Sequence, residues 1–194
     1  FQSLKQVNDE SYDGRNLLYL IENGIASLNL HTNLDCCPGG VNDVLASRLG
    51  LADIEILNPV GTDAKGRPYG LVRIGEAAEQ PLAEFAAFVK RVLSCPGVRF
   101  ADAGKPVRKV AVGGGSCGSE IGDVIAAGCD TFVTADLKYN HFEEAKYRGL
   151  NLIDAGHFET ENPICDVLEG ILREDFPEIP VFRARTHRDE TQFL

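Results

Sequence analysis

The chain has 194 residues, 44% apolar and 25% charged, a composition typical of one globular domain with a full hydrophobic core. A net charge of −10 argues against direct binding to nucleic acid, which needs a cationic surface, and no apolar run is long enough to span a membrane. The six cysteines show neither a CxxC pair nor a repeated spacing, so we expect a reducing, cytoplasmic setting rather than a disulfide framework. Because the chain opens at Phe1 and contains no Met, we also expect a natural upstream segment that is missing here.

Apolar spacing predicts helices and strands in alternation along the chain. In the first half it predicts helices at 15–22, 41–49 and 81–93 and strands at 25–30, 54–60 and 70–75. In the second half it predicts strands at 107–112, 131–134, 150–154 and 179–182, and helices at 116–127, 139–148 and 157–173, the last interrupted near Pro163. This order predicts an α/β fold of mostly parallel sheets flanked by helices.

Polar residues follow four of the predicted strands. They are His31 and Asp35, the glycine loop 113–118, Asp136 and Lys138, and His157 and Glu161. Ligands of open α/β sheets bind beyond the carboxyl ends of the strands. We therefore expect a functional site at this edge of the sheet.

Two of these segments, HTNLD at 31–35 and GHFETE at 156–161, carry metal-ligand chemistry. His157 and Glu161 are four residues apart, so on a helix they share one face and can hold one ion together. Imidazole nitrogen with carboxylate oxygen suits Zn, Fe, Mn, Co or Ni. Both segments also have a plain structural interpretation, a strand-end cap and turn at His31 and Asp35 and an exposed helix start at His157.

The loop GGGSCGSE at 113–120 lies between a predicted strand and a predicted helix, where the amides of Gly114 and Ser116 could bind a phosphate. A tight turn explains its glycines equally well. Cys117 at the helix start is either a nucleophile or a small packing residue, and the lack of a histidine at a diagnostic position favours packing. The adjacent pair Cys36 and Cys37 is best interpreted as a buried turn, although a soft metal could recruit it.

The segment ADLKYNH at 135–141 also has two interpretations. Asp136 is typical of a helix cap, with Lys138 in solvent. Alternatively, Lys138 binds an anionic substrate and His141 relays protons. The cap is slightly favoured.

Taken in order, the segments HTNLD, GGVND, YGLVRIGE, VAVGGGSCG, TADLKYNHF and NLIDAGHFETE resemble the NGG-one-interacting-factor-three-like family, whose members are often labelled GTP cyclohydrolase type 2 homologues. The likeness spans nearly the whole chain and matches the short form, without the insert domain of longer members. It implies a single α/β domain of two similar lobes, about 1–95 and 96–194, around a site for two divalent transition-metal ions. It also implies assembly into a toroidal homohexamer.

The resemblance implies roles for individual residues. Asp35 would bridge two metal ions, His157 and Glu161 would be terminal ligands, and His31 would line the same pocket. The remaining ligands of the family lie in a His-His-Pro motif just before a Phe that matches Phe1, outside this chain. One departure concerns the family histidine at the position of Asn140, because here the histidine is one place later, at His141.

Two functions stay open at this point. The first is a metal-dependent hydrolase that acts on a nucleotide-like or phosphate-bearing small molecule, since two ions can activate a water molecule for attack. The alternative is a metal-binding, ring-forming scaffold or regulatory protein that binds protein partners without catalysis. The acidic composition favours protein partners over nucleic acid.

Overall fold

A six-stranded mixed sheet lies at the centre of residues 32–194 in the computed structural model, which describes residues 6–194. Its strands, in order across the sheet, are β1 (Ala52–Leu57), β4 (Val72–Gln80), β6 (Val107–Val112), β7 (Thr131–Thr134), β8 (Asn151–Asp154) and β5 (Arg99–Ala101). The pairings β6–β7 and β7–β8 are parallel, and the other three pairings are antiparallel. A separate hairpin is formed by β2 (Gly61–Thr62) and β3 (Pro68–Tyr69). The predicted α/β class is confirmed, but the sheet is mixed and not mostly parallel as predicted. Parallel pairing is confined to β6, β7 and β8, where helical segments connect the successive strands.

Seven helices flank the strands in this part of the described chain. They are α2 (Thr32–Cys36), α3 (Val41–Arg48), α4 (Leu82–Val92), α5 (Ile121–Ala126), α6 (Tyr139–Tyr147), α7 (His157–Glu161) and α8 (Ile164–Asp175). The helix predicted at 116–127 instead begins with a 3-10 turn, Gly118–Glu120. The helix predicted at 157–173 is two helices, because Pro163 lies between α7 and α8.

The two predicted strands at 25–30 and 179–182 are wrong, since both segments are irregular in the structure. An apolar run becomes a strand only where a neighbouring strand completes its backbone hydrogen bonds. Neither segment belongs to the six-stranded sheet or to the hairpin. Local sequence alone does not reveal whether such a neighbour is available.

The chain divides into two compact units, Phe1–His31 and Thr32–Leu194. In the described part of the first unit, α1 (Tyr12–Glu22) starts at Ser11, whose Oγ accepts a hydrogen bond of 3.0 Å from the Gly14 amide. The two predicted lobes, about 1–95 and 96–194, stay a prediction. In the second unit one sheet includes strands from both sides of residue 95, because β4 pairs with β6.

The hydrophobic core lies on both faces of the sheet because side chains alternate along each strand. Val110 and Val112 of β6 pack into one cluster with α4, whereas Ala111 packs into a second cluster with Phe132. α4 buries one apolar stripe at helical spacing, consisting of Leu82, Phe85, Ala86 and Val89. Among residues 6–194, none of the helices combines the length and apolar character needed to cross a membrane.

Candidate metal centre

The three parallel strands β6, β7 and β8 end side by side and place three loops at one edge of the sheet. The glycine loop begins at Gly113 after β6, Asp136 follows β7, and His157 follows β8. Adjacent parallel strands bring their carboxyl ends together. The predicted gathering of polar residues at this edge therefore occurs for the three segments that follow these strands.

His157 is held between two carboxylates. Its Nδ1 donates to Asp136 Oδ2 at 2.7 Å, and its Nε2 lies 3.1 Å from Glu161 Oε1. Half of the His157 side chain is exposed. The hydrogen bond with Glu161 raises the pKa of His157 to about 9 against the lowering effect of burial, and Asp136 adds to the rise. A carboxylate hydrogen-bonded to one imidazole nitrogen fixes the orientation of the ring, as it commonly does for metal-binding histidines.

Gly115 lies directly against this pair. Its φ is +64°, and a Cβ at this position would touch the Glu161 carboxylate and lie 3.1 Å from His157 Nε2. The Gly115 amide donates to Thr160 Oγ1 at 3.0 Å, which fixes the glycine loop to α7. Glycine is therefore required here for two reasons, its backbone conformation and the space beside Nε2.

Asn42 connects the Asp35 segment to the glycine loop. The Asn42 side chain is fully buried, and its Oδ1 accepts a hydrogen bond of 2.6 Å from the Gly114 amide. Its Nδ2 donates to the carbonyl oxygens of Leu71 at 2.6 Å and Asp35 at 3.2 Å. One side chain thus fixes α2, which carries Asp35, to the loop that borders His157.

Cys117 lies between these segments and is 3% exposed. Burial raises the pKa of its thiol to about 12, and the carboxylates of Glu120, Asp35 and Glu161 add to the rise. The Asp35 and Glu161 carboxylates therefore both act on the same buried thiol. A thiol with so high a pKa is not a nucleophile near neutral pH, so the packing interpretation is the better one.

The predicted ligands do not form a complete cluster on their own. Within the described residues, no group of three His, Cys, Asp or Glu side chains is arranged to hold a metal ion. His31 is the last residue of the first unit, where it is exposed, and Asp35 lies on α2 of the second unit. The expected upstream ligands, placed before Phe1, lie outside the described residues.

The predicted substrate-binding residues have different surroundings. The Gly114 amide is already bonded to Asn42, whereas Ser116 and Lys138 are exposed. The predicted cap at Asp136 is wrong, because the N-cap of α6 is Lys138 and Asp136 binds His157 instead. His141 Nδ1 accepts a hydrogen bond of 3.2 Å from the Lys138 amide, so this ring closes the first turn of α6.

Sequence reasoning missed Asn42, and it placed Asp136 at this edge without predicting its bond to His157. That bond depends on the neighbouring positions of β7 and β8, and its only local signal was an aspartate shortly after an apolar strand. Asn42 had a clearer signal, because it shares the inward face of α3 with Leu45 and Ala46. An asparagine at such a position needs buried hydrogen-bond partners.

The fold and this histidine–carboxylate edge define a class of α/β proteins with a candidate metal centre at the carboxyl ends of parallel strands. The family model of Duf34/NIF3 (NGG1p interacting factor 3) matches residues 1–190. The chain belongs to this family, which confirms the resemblance seen in its motifs.

Relatives and solved structures agree with this assignment. A Nostoc protein named GTP cyclohydrolase 1 type 2 homolog is 38% identical over 152 residues, 77% of this chain and 56% of that protein. A Clostridium perfringens protein of the same name is 31% identical and aligns with 100% of this chain and 74% of its own length. The crystal structure of Staphylococcus aureus hypothetical protein SA1388 superposes with a TM-score of 0.88 and 27% identity, covering 100% of this chain and 77% of that one. The chain thus spans little more than half of the Nostoc relative.

Proposed function

We propose that this chain carries part of the metal centre of a metal-dependent hydrolase that acts on a nucleotide-like or phosphate-bearing small molecule. The observation that carries the proposal is the fixed imidazole of His157, with Asp136 on Nδ1 and Glu161 beside Nε2. The name GTP cyclohydrolase 1 type 2 homolog, given to the relatives, is compatible with this reaction class.

The side chains at this edge fit a divalent transition metal. His157 Nε2 and the Glu161 carboxylate face each other, and they offer the nitrogen and oxygen donors that Zn, Fe, Mn, Co and Ni accept. With Asp136 accepting from Nδ1, Nε2 would be the nitrogen that binds the ion. We propose that Asp35 would be a further metal ligand.

A divalent ion held by these residues would supply Lewis-acid activation of a water molecule at neutral pH. The residues of this chain would then hold and orient the reacting groups. His157, kept neutral by its role as ligand, is oriented by Asp136, and Gly115 leaves space on the Nε2 side. Lys138 and Ser116, both exposed, are the proposed contacts for a substrate phosphate.

In this proposal the main role of the glycine loop is not to bind a phosphate. The amides of Gly114 and Gly115 are bonded to Asn42 and Thr160. We therefore propose that the loop mainly positions the metal ligands, and that Gly114 reaches a substrate only if its bond to Asn42 opens.

Two wider properties complete the proposal. The first is a reducing, cytoplasmic setting, which the cysteine spacing, with neither a CxxC pair nor a repeat, supports. We further propose a homohexamer, as the family resemblance implies, with protein partners rather than nucleic acid as its macromolecular ligands.

The test is elemental analysis of the full-length protein together with an assay of phosphoester and nucleotide hydrolysis. We expect about two transition-metal ions per chain, lost in Asp35→Asn and His157→Ala together with hydrolysis. Asp136→Asn is expected to weaken metal affinity by about 10- to 100-fold, because the orienting bond of His157 is lost. The matched variant Asp123→Asn, at an exposed aspartate bonded to Asn58, should keep full affinity.

A glycine pair supplies a second control. Gly115→Ala should lose metal, because the added methyl group enters the space beside Nε2. Gly128→Ala places alanine at a similar positive φ in open space, and this variant should keep its bound metal. Metal bound without turnover of any phosphoester or nucleotide would instead favour the regulatory scaffold. A metal-free protein would overturn both the hydrolase and the metal-binding scaffold.

A further inference from the structure

Two adjacent cysteines, Cys36 and Cys37, lie where α2 ends. They are separate from the site formed by His157, Asp136 and Glu161. Both are free thiols and both are partly buried. Both line a cavity of about 590 Å³ between α2 and the β2–β3 hairpin. The other walls of this cavity are Thr32, Asn33, Pro38, Asp63, Arg67 and Tyr69.

The backbone that carries the two thiols is held in place by a buried cation. The side chain of Arg73 is 1% exposed, and its Nη2 donates to the carbonyl oxygens of Cys36 at 3.2 Å and Cys37 at 3.4 Å. Arg73 is itself fixed by an ion pair with Asp43 and a 2.6 Å bond to the Gly70 carbonyl. The backbone at the two cysteines is therefore held in a fixed position, unlike the backbone of thiols on a mobile loop.

Neighbouring thiols can either join as a disulfide or share an ion. A trans peptide separates the two Cα atoms by about 3.8 Å, below the usual disulfide range of about 4.4–6.8 Å. A disulfide here would be strained, and such bonds are readily reduced. An ion that bonds to both sulfurs avoids this strain, because the sulfurs need not approach bonding distance.

The donor set restricts which ion fits. Zinc requires about four ligands, and among the described residues no group of three His, Cys, Asp or Glu side chains is arranged to hold a metal ion. Soft ions select thiolate sulfur over the nitrogen and oxygen donors of the His157 edge. Trivalent arsenic is soft and takes two sulfurs, with a third substituent that the cavity can accommodate.

We propose that Cys36 and Cys37 form a dithiol site for a soft, thiophilic ion of the trivalent arsenic type, seated in the cavity between α2 and the β2–β3 hairpin. In the binding reaction two As–S bonds form, and the arsenic-bound oxygen leaves as water with the two thiol protons. No electrons are transferred. The site is independent of the proposed hydrolase activity.

The test uses phenylarsine oxide with the whole protein and intact-mass spectrometry. We expect one phenylarsine group per chain with loss of one water molecule. Cys36→Ser and Cys37→Ser should each bind at least about tenfold more weakly, because a single thiol lacks the chelate advantage. The matched variant Cys165→Ser, at another partly buried thiol, should bind as the parent protein does.

An alkylation footprint of the parent protein tests the same site without relying on whether the variants fold. Phenylarsine oxide should protect Cys36 and Cys37 from alkylation by iodoacetamide and leave the rate at Cys165 unchanged. Equal binding by the two serine variants and the parent protein, or alkylation of Cys36 and Cys37 at unchanged rates, would overturn the proposal. So would the absence of any mass gain.

Discussion

The centre of the sheet and its edges are built differently, and the difference explains where the candidate site lies. Every residue of β7 and β8 is buried, whereas the edge strands β1 and β5 are largely exposed. Strands covered on both faces cannot shift without breaking the core, so the loops that follow them have fixed positions. Asp136 and His157 directly follow these central strands, and their side chains meet at 2.7 Å.

A pair of phenylalanines tests this contrast most strongly. Phe132 in β7 is fully buried, whereas Phe100 in the edge strand β5 is 46% exposed. Phe132→Ala should lower the free energy of unfolding by about 4 kcal/mol, because it leaves a cavity in the core. Phe100→Ala should cost no more than about 1 kcal/mol. Urea denaturation measures both, and equal losses would contradict the contrast between centre and edge.

A pair of asparagines tests the polar contacts of the centre. Asn42→Ala should destabilise the protein by about 3 kcal/mol, because it leaves the Gly114 amide and the Leu71 carbonyl without their partner. Asn58→Ala removes an exposed bond to Asp123 and places alanine at a φ of +52°, and it should cost only about 1 kcal/mol. The comparison fails if the two variants unfold at the same urea concentration.

A pair of glycines separates the stability cost of a positive φ from the cost of steric crowding. Gly156 after β8 has a φ of +86°, and an added Cβ would touch the buried side chain of Glu159. Gly104 has a φ of +76° with open space around it. Gly104→Ala should cost about 1 kcal/mol for its backbone conformation alone. Gly156→Ala should cost about 2 kcal/mol, and thermal unfolding that ranks the two variants in the opposite order would refute the crowding argument.

The smallest expected effect is a pH dependence at His157. Its pKa in the folded, metal-free protein is raised to about 9 from 6.5, chiefly by the hydrogen bond with Glu161. A raised pKa means that the charged imidazole stabilises the fold fully below pH 6.5, and that this stabilisation disappears as the pH rises through about 9. In the presence of a chelator, the melting temperature should fall modestly over this range. The decline should be shallower in His157→Gln, and identical pH profiles would rule out the contribution of His157.

Much of the local structure was predictable because it depends on neighbours in sequence. The strands at 107–112 and 131–134 were predicted with their observed bounds, and the helix predicted at 81–93 is Leu82–Val92. These segments combine apolar periodicity with clear start and stop signals. The segment 25–30 is as apolar as a strand, yet it is irregular, because strand formation depends on a partner that is distant in sequence.

The sequence by itself determined the family, the α/β class and the pairing of His157 with Glu161, which lie four residues apart on one helix. Only the tertiary structure decided the other partners of the site. Asp136 reaches His157 across 21 residues because β7 and β8 are parallel neighbours, and Asn42 reaches Gly114 across 72 residues because α3 packs beside the glycine loop. The physical reason is that periodicity encodes contacts within one element, whereas contacts between elements depend on strand order and packing, which no short segment specifies.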